Sequence, residues 1–536
     1  MTERTMAEAF EAALGSRTTR QIGALPVVYP ILETLGLREI VNTLCYTRAD
    51  IDLGRIAELL TLNRLLAPQP LCWVKRWASD TVLPEMLDMP VGKLYDNRLG
   101  RALDNLHPDL GEIWASVAAR AVTTYQVDLS IVHWDITSFF FEGEYTASEL
   151  LRRGYSRDKR PDAKQANLGL DVSHEDEIPF LYWLLPGNRQ DDQTAVPHVK
   201  ALKAFLARPE LAELSVRPII VSDSKMVTPE AVLAAHDHHL FYLGSMEQDD
   251  AVKALIRSVS DAELSAHELS YRPQRPQRRQ DESFLPYQGV LRPITFQVDE
   301  RSVTDRALVV WSAGKARLDN QKGKTYLKRL LNGLARIQGW MGKRCYTNRD
   351  YIVKCVDGVQ RGNPARSWVD VEITQAESGR LGLRFRINQE RLAAARALEG
   401  KYVVATNAPH LSADDILRVF KGQDKVEKAN RTLKGPLRVR PVFLRTDRRI
   451  EGLVLFTMLA LLVRAILALQ CRRADLSFTT DQVLAEFANL MAIDVSFDDG
   501  SRRRVATDLT ATQAQILAAL NLPPVTRYVT RPSRQR

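Results

Sequence analysis

The chain has 536 residues, of which 45% are hydrophobic and 26% charged, a composition typical of a soluble globular protein with more than one domain. Five scattered cysteines without zinc-ligand spacing, and an N-terminus without an apolar signal segment, exclude a disulfide-built secreted protein and lead us to expect a cytoplasmic one. The formal net charge of +9 favours an anionic partner.

Residues 1–125 have a helical pattern and are predicted to form a DNA-binding region. Two helices separated by prolines are expected here, and Lys75 and Arg76 lie on the second of them. A basic second helix of such a pair is able to bind DNA as a helix-turn-helix. Trp73 and Trp77 are four residues apart on this helix and are interpreted as core residues.

The segment 126–250 is predicted to form an α/β layer with a mixed sheet, the first part of a core. Its pattern changes from helix to strands, turns and short helices. The predicted elements in chain order are a strand at 131–141, a hairpin of 166–172 with 178–185, a helix at 195–206, a strand at 218–223, a helix at 229–236 and a strand at 240–243.

The segment 251–405 is interpreted as a strand-rich insertion subdomain. It contains a basic, proline-rich stretch at 272–279 that predicts a linker or exposed loop. Beyond that stretch, the predicted elements are strands at 308–311, 351–356, 368–373 and 381–387, with a helix at 326–340.

Helices are predicted to resume in 406–475, which completes the core, and a basic region follows at 476–536. The apolar run 453–463 is shorter than the roughly 20 residues that span a bilayer, so we expect a buried helix and no membrane partner. Arg502, Arg503 and Arg504, with further arginines near the end, predict a mobile basic tail.

Three acidic residues stand out because a carboxylate is costly to bury unless it is paired or holds a metal. Asp135 interrupts an apolar strand, Asp223 ends a second strand of similar design, and Glu427 lies on a strongly patterned helix. Carboxylates that converge from two strands and a helix are able to hold two Mg²⁺ ions about 4 Å apart. The sequence contains no Walker-type phosphate loop and no nucleophile elbow.

The helix of Glu427 also carries basic and polar side chains on one face. Asn430, Arg431 and Lys434 follow Glu427 at three, four and seven positions, so that Lys434 lies about 10.5 Å along the axis. One interpretation is a solvated face of ion pairs, each worth a few tenths of a kcal/mol. The other is a metal ligand flanked by contacts to phosphates.

The sequence resembles DDE transposases of bacterial insertion sequences, in the group with the signature Tyr-x2-Arg-x3-Glu-x6-Lys. The resemblance covers about residues 20–465. It rests on Asp-x-Thr-Ser-Phe at 135–139, Gly-x-Ser-x-Asp-x-Arg-Pro-Asp at 154–162, Pro-Gly-Asn-x2-Asp-x2-Thr at 186–194, the strand ending in Asp223, Thr406-Asn407, the Glu427 helix and Arg440-Pro441-Val442. Phe420 and Gln423 stand where the signature has tyrosine and arginine, and Ser224 follows the second acid in place of the usual arginine.

The resemblance implies a ribonuclease-H-like catalytic core interrupted by a strand-rich insertion domain and preceded by a helical N-terminal domain. Asp135, Asp223 and Glu427 would then be the catalytic, metal-binding triad for two Mg²⁺ ions, with Mn²⁺ as a substitute. The 88 positions between the aspartates hold the core, and the 204 positions from Asp223 to Glu427 leave room for the insertion.

The resemblance also implies the partners of the protein. These are double-stranded DNA with terminal inverted repeats, target DNA, and a second copy of the chain in a homodimer on DNA. Lys434, Arg431 and Asn430 would hold the DNA backbone near the scissile phosphate. The expected location is cytoplasmic and associated with the nucleoid.

Two other functions remain open at this point. The alternatives to a transposase are a non-catalytic DNA-binding derivative and a metal nuclease without strand transfer. His133, two residues before Asp135, is interpreted as a hydrogen-bonded core residue, and His236, His238 and His239 as surface residues.

Overall fold

The computed structural model describes residues 14–156, 160–190, 192–224, 227–272, 286–377, 379–439, 444–497 and 502–530. The chain forms two compact units. The first consists of the residues up to 221, 234–240 and those from 422 onwards, and the second consists of 222–233 and 241–421.

The strands of the described residues are numbered in chain order. They are β1 (Leu14–Gln21), β2 (Ile131–Phe141), β3 (Lys164–Ser173), β4 (Pro179–Pro186), β5 (Ile219–Ser222), β6 (Phe241–Ser245), β7 (Glu268–Leu269), β8 (Tyr287–Val298), β9 (Arg301–Ser312), β10 (Val369–Gln375), β11 (Leu381–Ile387), β12 (Lys401–Thr406), β13 (Met491–Phe497) and β14 (Arg502–Ala506).

The α-helices of the described residues are numbered in the same way. They are α1 (Leu25–Leu35), α2 (Leu37–Leu44), α3 (Leu53–Leu66), α4 (Leu71–Ser79), α5 (Leu83–Met86), α6 (Asp96–Leu106), α7 (Leu110–Thr124), α8 (Ala195–Leu206), α9 (Pro229–Asp237), α10 (Asp250–Arg257), α11 (Asp261–Ser265), α12 (Ala313–Trp340), α13 (Arg349–Gln360), α14 (Gln389–Arg396), α15 (Ala413–Lys421), α16 (Asp424–Lys434), α17 (Asp447–Arg473), α18 (Thr480–Glu486) and α19 (Ala511–Ala519).

The first unit contains four strands in the order β4-β3-β2-β5, which form a mixed sheet. β3 is antiparallel to both β2 and β4, and Asp135 of β2 lies opposite Leu170 of β3. β5 is parallel to β2, with Val221 opposite His133. The expected hairpin, the mixed sheet and the helix at 195–206 are therefore confirmed.

Helix α17 is the central element of the core of the first unit. It contacts α1, α3, α6, α7, α16 and β4, and its side chains are buried around its whole circumference. By length and composition it would suit a membrane span, but 89% of its most apolar window is buried inside the protein. The expectation of a buried helix at 453–463 is confirmed.

The C-terminal region is folded, and the expectation of a mobile tail is wrong for its described part. β13 pairs antiparallel with both β1 and β14, which joins the two ends of the chain in a three-stranded sheet. Arg504 of β14 donates hydrogen bonds to Asp494 at 2.6 and 2.7 Å and forms an ion pair with Glu85. Because these acids neutralise Arg504, the basic composition of this segment does not prevent it from folding. Arg531, Arg534 and Arg536 lie outside the described residues.

The N-terminal region is helical from α1 to α7, as expected, although its described part begins with β1. The interpretation of Trp73 as a core residue is wrong, because 47% of it is exposed and the guanidinium of Arg76 lies 5.6 Å from the centre of its ring. On α4 the buried face consists instead of Leu71, Val74 and Ala78.

The second unit is built on five antiparallel strands in the order β6-β12-β9-β8-β7. Val252 and Ile256 of α10 pack in one hydrophobic cluster with Val309 of β9 and Val403 of β12. A second hydrophobic core is formed by α12, α13, β10 and β11, so this part of the unit has its own packing. The stretch 273–279 of the predicted linker lies outside the described residues.

The predicted strand at 351–356 is wrong, because this segment lies within helix α13. The side chain of Asn348 caps the helix by accepting a hydrogen bond from the Tyr351 amide at 3.0 Å. Ile352 and Val356, four residues apart, are the buried positions of one helical face. The four-residue spacing places both side chains in the second hydrophobic core of this unit, although their β-branched composition is typical of a strand.

Candidate active site

The carboxylate of Asp135 is the centre of the candidate site. Asp135 is half-buried on β2, and the side-chain amide of Asn430 donates a hydrogen bond to its Oδ2 at 2.9 Å. Asn430 lies on α16 and is only 6% exposed. Its second polar atom, Oδ1, is buried and has no hydrogen-bond partner within the described residues. This contact joins the strand of the first predicted acid to the helix of the third.

Gln423, immediately before α16, makes a second connection between this helix and β2. Its Nε2 donates a hydrogen bond to the carbonyl oxygen of Trp134 at 2.8 Å. Its Oε1 lies 3.1 Å from Nδ1 of His133. Gln423 therefore uses both ends of its amide to fix the start of α16 against the backbone and side chain of the strand.

The buried His133 and the half-buried His174 form a pair beside this connection. Nε2 of His133 lies 2.7 Å from Nδ1 of His174. Burial lowers the pKa of His133 to about 3, and burial together with the charge of Lys425 also lowers the pKa of His174. Lys425 donates a hydrogen bond to the His174 carbonyl oxygen. The interpretation of His133 as a hydrogen-bonded core residue is confirmed.

Gly422 allows the close approach of the chain to the histidine pair. A Cβ atom at this position would lie 2.6 Å from Cε1 of His174 and 2.9 Å from Nε2 of His133. Gly422 and Gln423 also separate α15 from α16, so the apolar pattern at 419, 426 and 433 is divided between two helices. Val426 and Leu433 remain on one buried face of α16.

The other two predicted acids have different surroundings. The Glu427 side chain is 60% exposed, and its Oε2 lies 4.0 Å from Nη1 of Arg431. Asp223 is half-buried and directly follows β5. Val221 of β5 and His133 of β2 are paired in the parallel register. Asp223 stands two residues after Val221, and Asp135 stands two residues after His133.

The described residues fit the expected metal site in the chemistry of their oxygen donors but do not form a cluster of ligands. Within the described residues, no group of three or more His, Cys, Asp or Glu side chains is arranged to hold a metal ion. The chemistry of the oxygen donors nevertheless fits Mg²⁺, which prefers carboxylate and carbonyl oxygens. The Oδ1 atom of Asn430 is one such oxygen, since it is buried and has no hydrogen-bond partner within the described residues. It belongs to the amide group whose Nδ2 donates a hydrogen bond to Asp135.

The predicted DNA contacts differ in exposure. Lys75 and Arg76 are exposed on α4, and the Arg431 side chain is 70% exposed. Lys434 is half-buried. Asn430 is buried and donates to Asp135, so it does not face solvent where a phosphate would bind.

Sequence reasoning missed the roles of Gln423, His174 and Gly422. Gln423 was noted only as a departure from the signature. The available signal was local, because a glycine five residues before Glu427, followed by a polar residue, interrupts the helical pattern. The two histidines that pack against this break, one on β2 and one directly after β3, are distant from it in sequence.

No protein-family model and no curated protein matches the sequence. Among solved structures, the chain is similar to a piggyBac transposase synaptic complex with hairpin DNA, with a TM-score of 0.39 and 8% identity over 88% of this chain and 82% of that chain. It is also similar to a Mos1 transposase paired-end complex with left transposon end, with a TM-score of 0.15 and 14% identity over 36% of this chain and 59% of that chain.

Proposed function

We propose that the chain is a DDE-type DNA transposase that cleaves DNA at the ends of its element and joins the 3′-hydroxyl to target DNA. The observation that carries the proposal is the hydrogen bond from Asn430 to Asp135. It links two motifs that are 295 residues apart and that the family resemblance assigns to one site. The antiparallel strands β2, β3 and β4 with the parallel strand β5 support the ribonuclease-H-like core that the resemblance implies.

Asp135, Asp223 and Glu427 would hold two Mg²⁺ ions, or Mn²⁺ in their place. Bound ions of this kind activate a water or hydroxyl nucleophile and stabilise the leaving oxygen. The equal offsets of Asp135 and Asp223 from a paired position of β2 and β5 support their common role. Asn430 orients the Asp135 carboxylate, and Gln423 fixes the helix that carries Glu427.

The proposed partner is double-stranded DNA, both terminal inverted repeats and target, bound by a homodimer in the nucleoid. Arg431 and Lys434 would contact its backbone near the scissile phosphate, and Lys75 and Arg76 would contribute to recognition of the ends. The exposure of Arg431, Lys75 and Arg76 supports these roles.

A non-catalytic DNA-binding derivative is the second candidate function. The exposed side chain of Glu427 and its proximity to Arg431 favour it, because an acid paired with arginine is less available to a metal ion. A nuclease without strand transfer differs from the leading proposal only in its products.

The test uses the full chain, DNA carrying the inverted repeats that flank its gene, and Mg²⁺ or Mn²⁺. We expect metal-dependent cleavage and joined products from the wild type. Asp135→Ala should lower the cleavage rate at least about 100-fold, because outer residues of metal sites already contribute 10- to 100-fold. Asp250→Ala, at a fully exposed aspartate, is the matched control and should cleave normally.

Each other outcome identifies a different function. Cleavage that survives Asp135→Ala excludes this residue from the site and overturns the proposal. Cleavage without joined products identifies the nuclease. If the wild type binds the ends specifically but neither it nor the two variants cleave them, the chain is the non-catalytic derivative.

A further inference from the structure

The positive charge of the chain is concentrated in one part of the second unit. We call residues 313–396, from the start of α12 to the end of α14, the basic subdomain. It contains 18 Lys and Arg residues and 7 Asp and Glu residues, a net charge of +11. Since the whole chain carries +9, the remaining residues carry −2 together. The anionic partner that the overall charge favours is therefore expected at this subdomain.

The basic subdomain has a hydrophobic core that orients its charged residues outwards. Leu330, Leu334 and Ile337 of α12 are buried against Ile352 and Val356 of α13. The remaining members of this core come from β10, β11 and the turn before β10. The face of α12 opposite the core is thus left to solvent.

The arginines on the hairpin side of the basic subdomain face acids. In the antiparallel register of β10 and β11, Arg384 lies opposite Glu372 and Arg386 opposite Asp370. Arg391 at the start of α14 also forms an ion pair with Asp370 at 3.1 Å. This side contributes little net charge.

Helix α12 carries the largest share of the net charge, with seven Lys and Arg residues and one Asp. Lys322, Arg329 and Arg336 are exposed, repeat every seven residues and have no ion-pair partner within the described residues. We call these three residues the basic row. They lie along one side of the helix over about 21 Å. Lys324 and Lys328 lie on the other side of the same exposed face.

We propose that the basic row of α12 binds the phosphate backbone of duplex DNA without reading its sequence. This rests on the proposed function for the identity of the polyanion. A length of about 21 Å corresponds to roughly six phosphates along one strand. Gln321, Thr325 and Asn332 on the exposed face are polar, whereas a helix that lies on a membrane needs a broad apolar face.

The test measures how the affinity of the full chain for DNA depends on salt. The row variant is Lys322→Gln/Arg329→Gln/Arg336→Gln. The matched control is Arg384→Gln/Arg386→Gln/Arg391→Gln, which removes the same number of charges at positions that face acids. The probe is a fluorescent 30-base-pair duplex of arbitrary sequence, and binding is followed by anisotropy between 50 and 300 mM KCl. Circular dichroism and melting confirm that each variant is folded.

The slope of log Kd against log salt separates the outcomes. Each lost phosphate contact lowers the slope by about 0.9, so the row variant should lose about 2.7 and the control less than about 1. Equal slopes for the row variant and the wild type, or for the row variant and the control, would overturn the proposal. Tighter binding of duplex RNA, or binding of phosphatidylserine vesicles in preference to DNA, would overturn it too.

The failure of this proposal is distinguishable from the failure of the proposed function. A wild-type chain that binds and cleaves end-bearing DNA while the row variant keeps its slope refutes only the role of α12. A wild-type chain that binds no DNA at all refutes both.

Discussion

Asn430 and Glu427 show how two residues on one helix acquire different roles. Three residues correspond to 300° of rotation, so Asn430 is displaced from Glu427 by about 60° around the axis of α16. That rotation brings the Asn430 amide to Asp135 and leaves Glu427 mostly exposed. A hydrogen bond to a carboxylate restricts its orientation, which matters when the carboxylate serves as a ligand.

Asn430→Ala is expected to lower the rate of DNA cleavage about 10- to 100-fold at saturating DNA. The variant removes the donor that orients Asp135 but no exposed charge, so its affinity for DNA should remain that of the wild type. Cleavage rate and affinity are measured separately, by single-turnover kinetics and by anisotropy.

The neighbouring Arg431→Ala variant is the matched control for Asn430→Ala. Because Arg431 is largely exposed, its loss should weaken binding of DNA at low salt and leave the saturated rate unchanged. If Asn430→Ala instead weakens binding with an unchanged saturated rate, Asn430 contacts phosphate as the family resemblance implies.

At the scale of single residues, the sequence predicted the elements on which the three candidate acids lie. Asp135 lies on the predicted strand, Asp223 directly after one, and Glu427 on a helix. It did not predict that Asn430 faces Asp135, because an amphipathic pattern identifies the faces of a helix but not the partner of a polar face. The partner, β2, is nearly 300 residues away.

Between elements, the break before α16 fixes the start of this helix against β2. Gly422 leaves room for His133 and His174, and Gln423 then reaches the carbonyl of Trp134. The seven-residue apolar repeat concealed this break, because Val419 and Val426 keep the spacing of a continuous helix across it.

Gly422→Ala is expected to destabilise the first unit by about 1–3 kcal/mol, because the new methyl group overlaps both histidines. Movement of the histidines should also shift Gln423 and α16, so the cleavage rate should fall as well. The measurements are urea denaturation followed by circular dichroism and the cleavage assay.

Gly358→Ala is the control for Gly422→Ala, at a glycine where a methyl group has free space. Gly358 lies inside α13, and a Cβ atom there would have no neighbour within 4 Å. An alanine at this exposed helical position should stabilise by about 0.5–1 kcal/mol. Equal effects of the two substitutions would show that Gly422 has no special role in packing.

Strands and helices with clear periodicity were predictable, and those whose composition conflicts with their packing were not. Helix α8 was predicted with its observed bounds, and β3 and β4 to within two residues. Helix α13 was mistaken for a strand because Ile352, Val353 and Val356 are β-branched. Its capping residue Asn348 and the spacing of the buried positions were the stronger signals.

For the whole molecule, pairing between distant segments is the main feature that the sequence did not predict. β1 and β13 are antiparallel partners, with Arg20 opposite Ala492, although more than 450 residues separate them. Local patterns contain no information about such a partner, so the arginines of β14 suggested a tail. The sheet formed by β1, β13 and β14 fixes both ends of the described chain to the first unit.

Arg504 is the side chain through which this terminal sheet can be tested. Its side chain is 9% exposed and lies between Asp494 of β13 and Glu85 of α5. Arg504→Ala would leave the partly buried carboxylates of Asp494 and Glu85 with Arg20 as their remaining cation, at a cost of about 1–2 kcal/mol in the free energy of unfolding. Arg503→Ala, at the exposed neighbouring position, should change that free energy by less than about 0.5 kcal/mol. Urea denaturation of the full chain measures both variants, and equal losses would mean that the arginines of β14 act only through their charge, as in a tail.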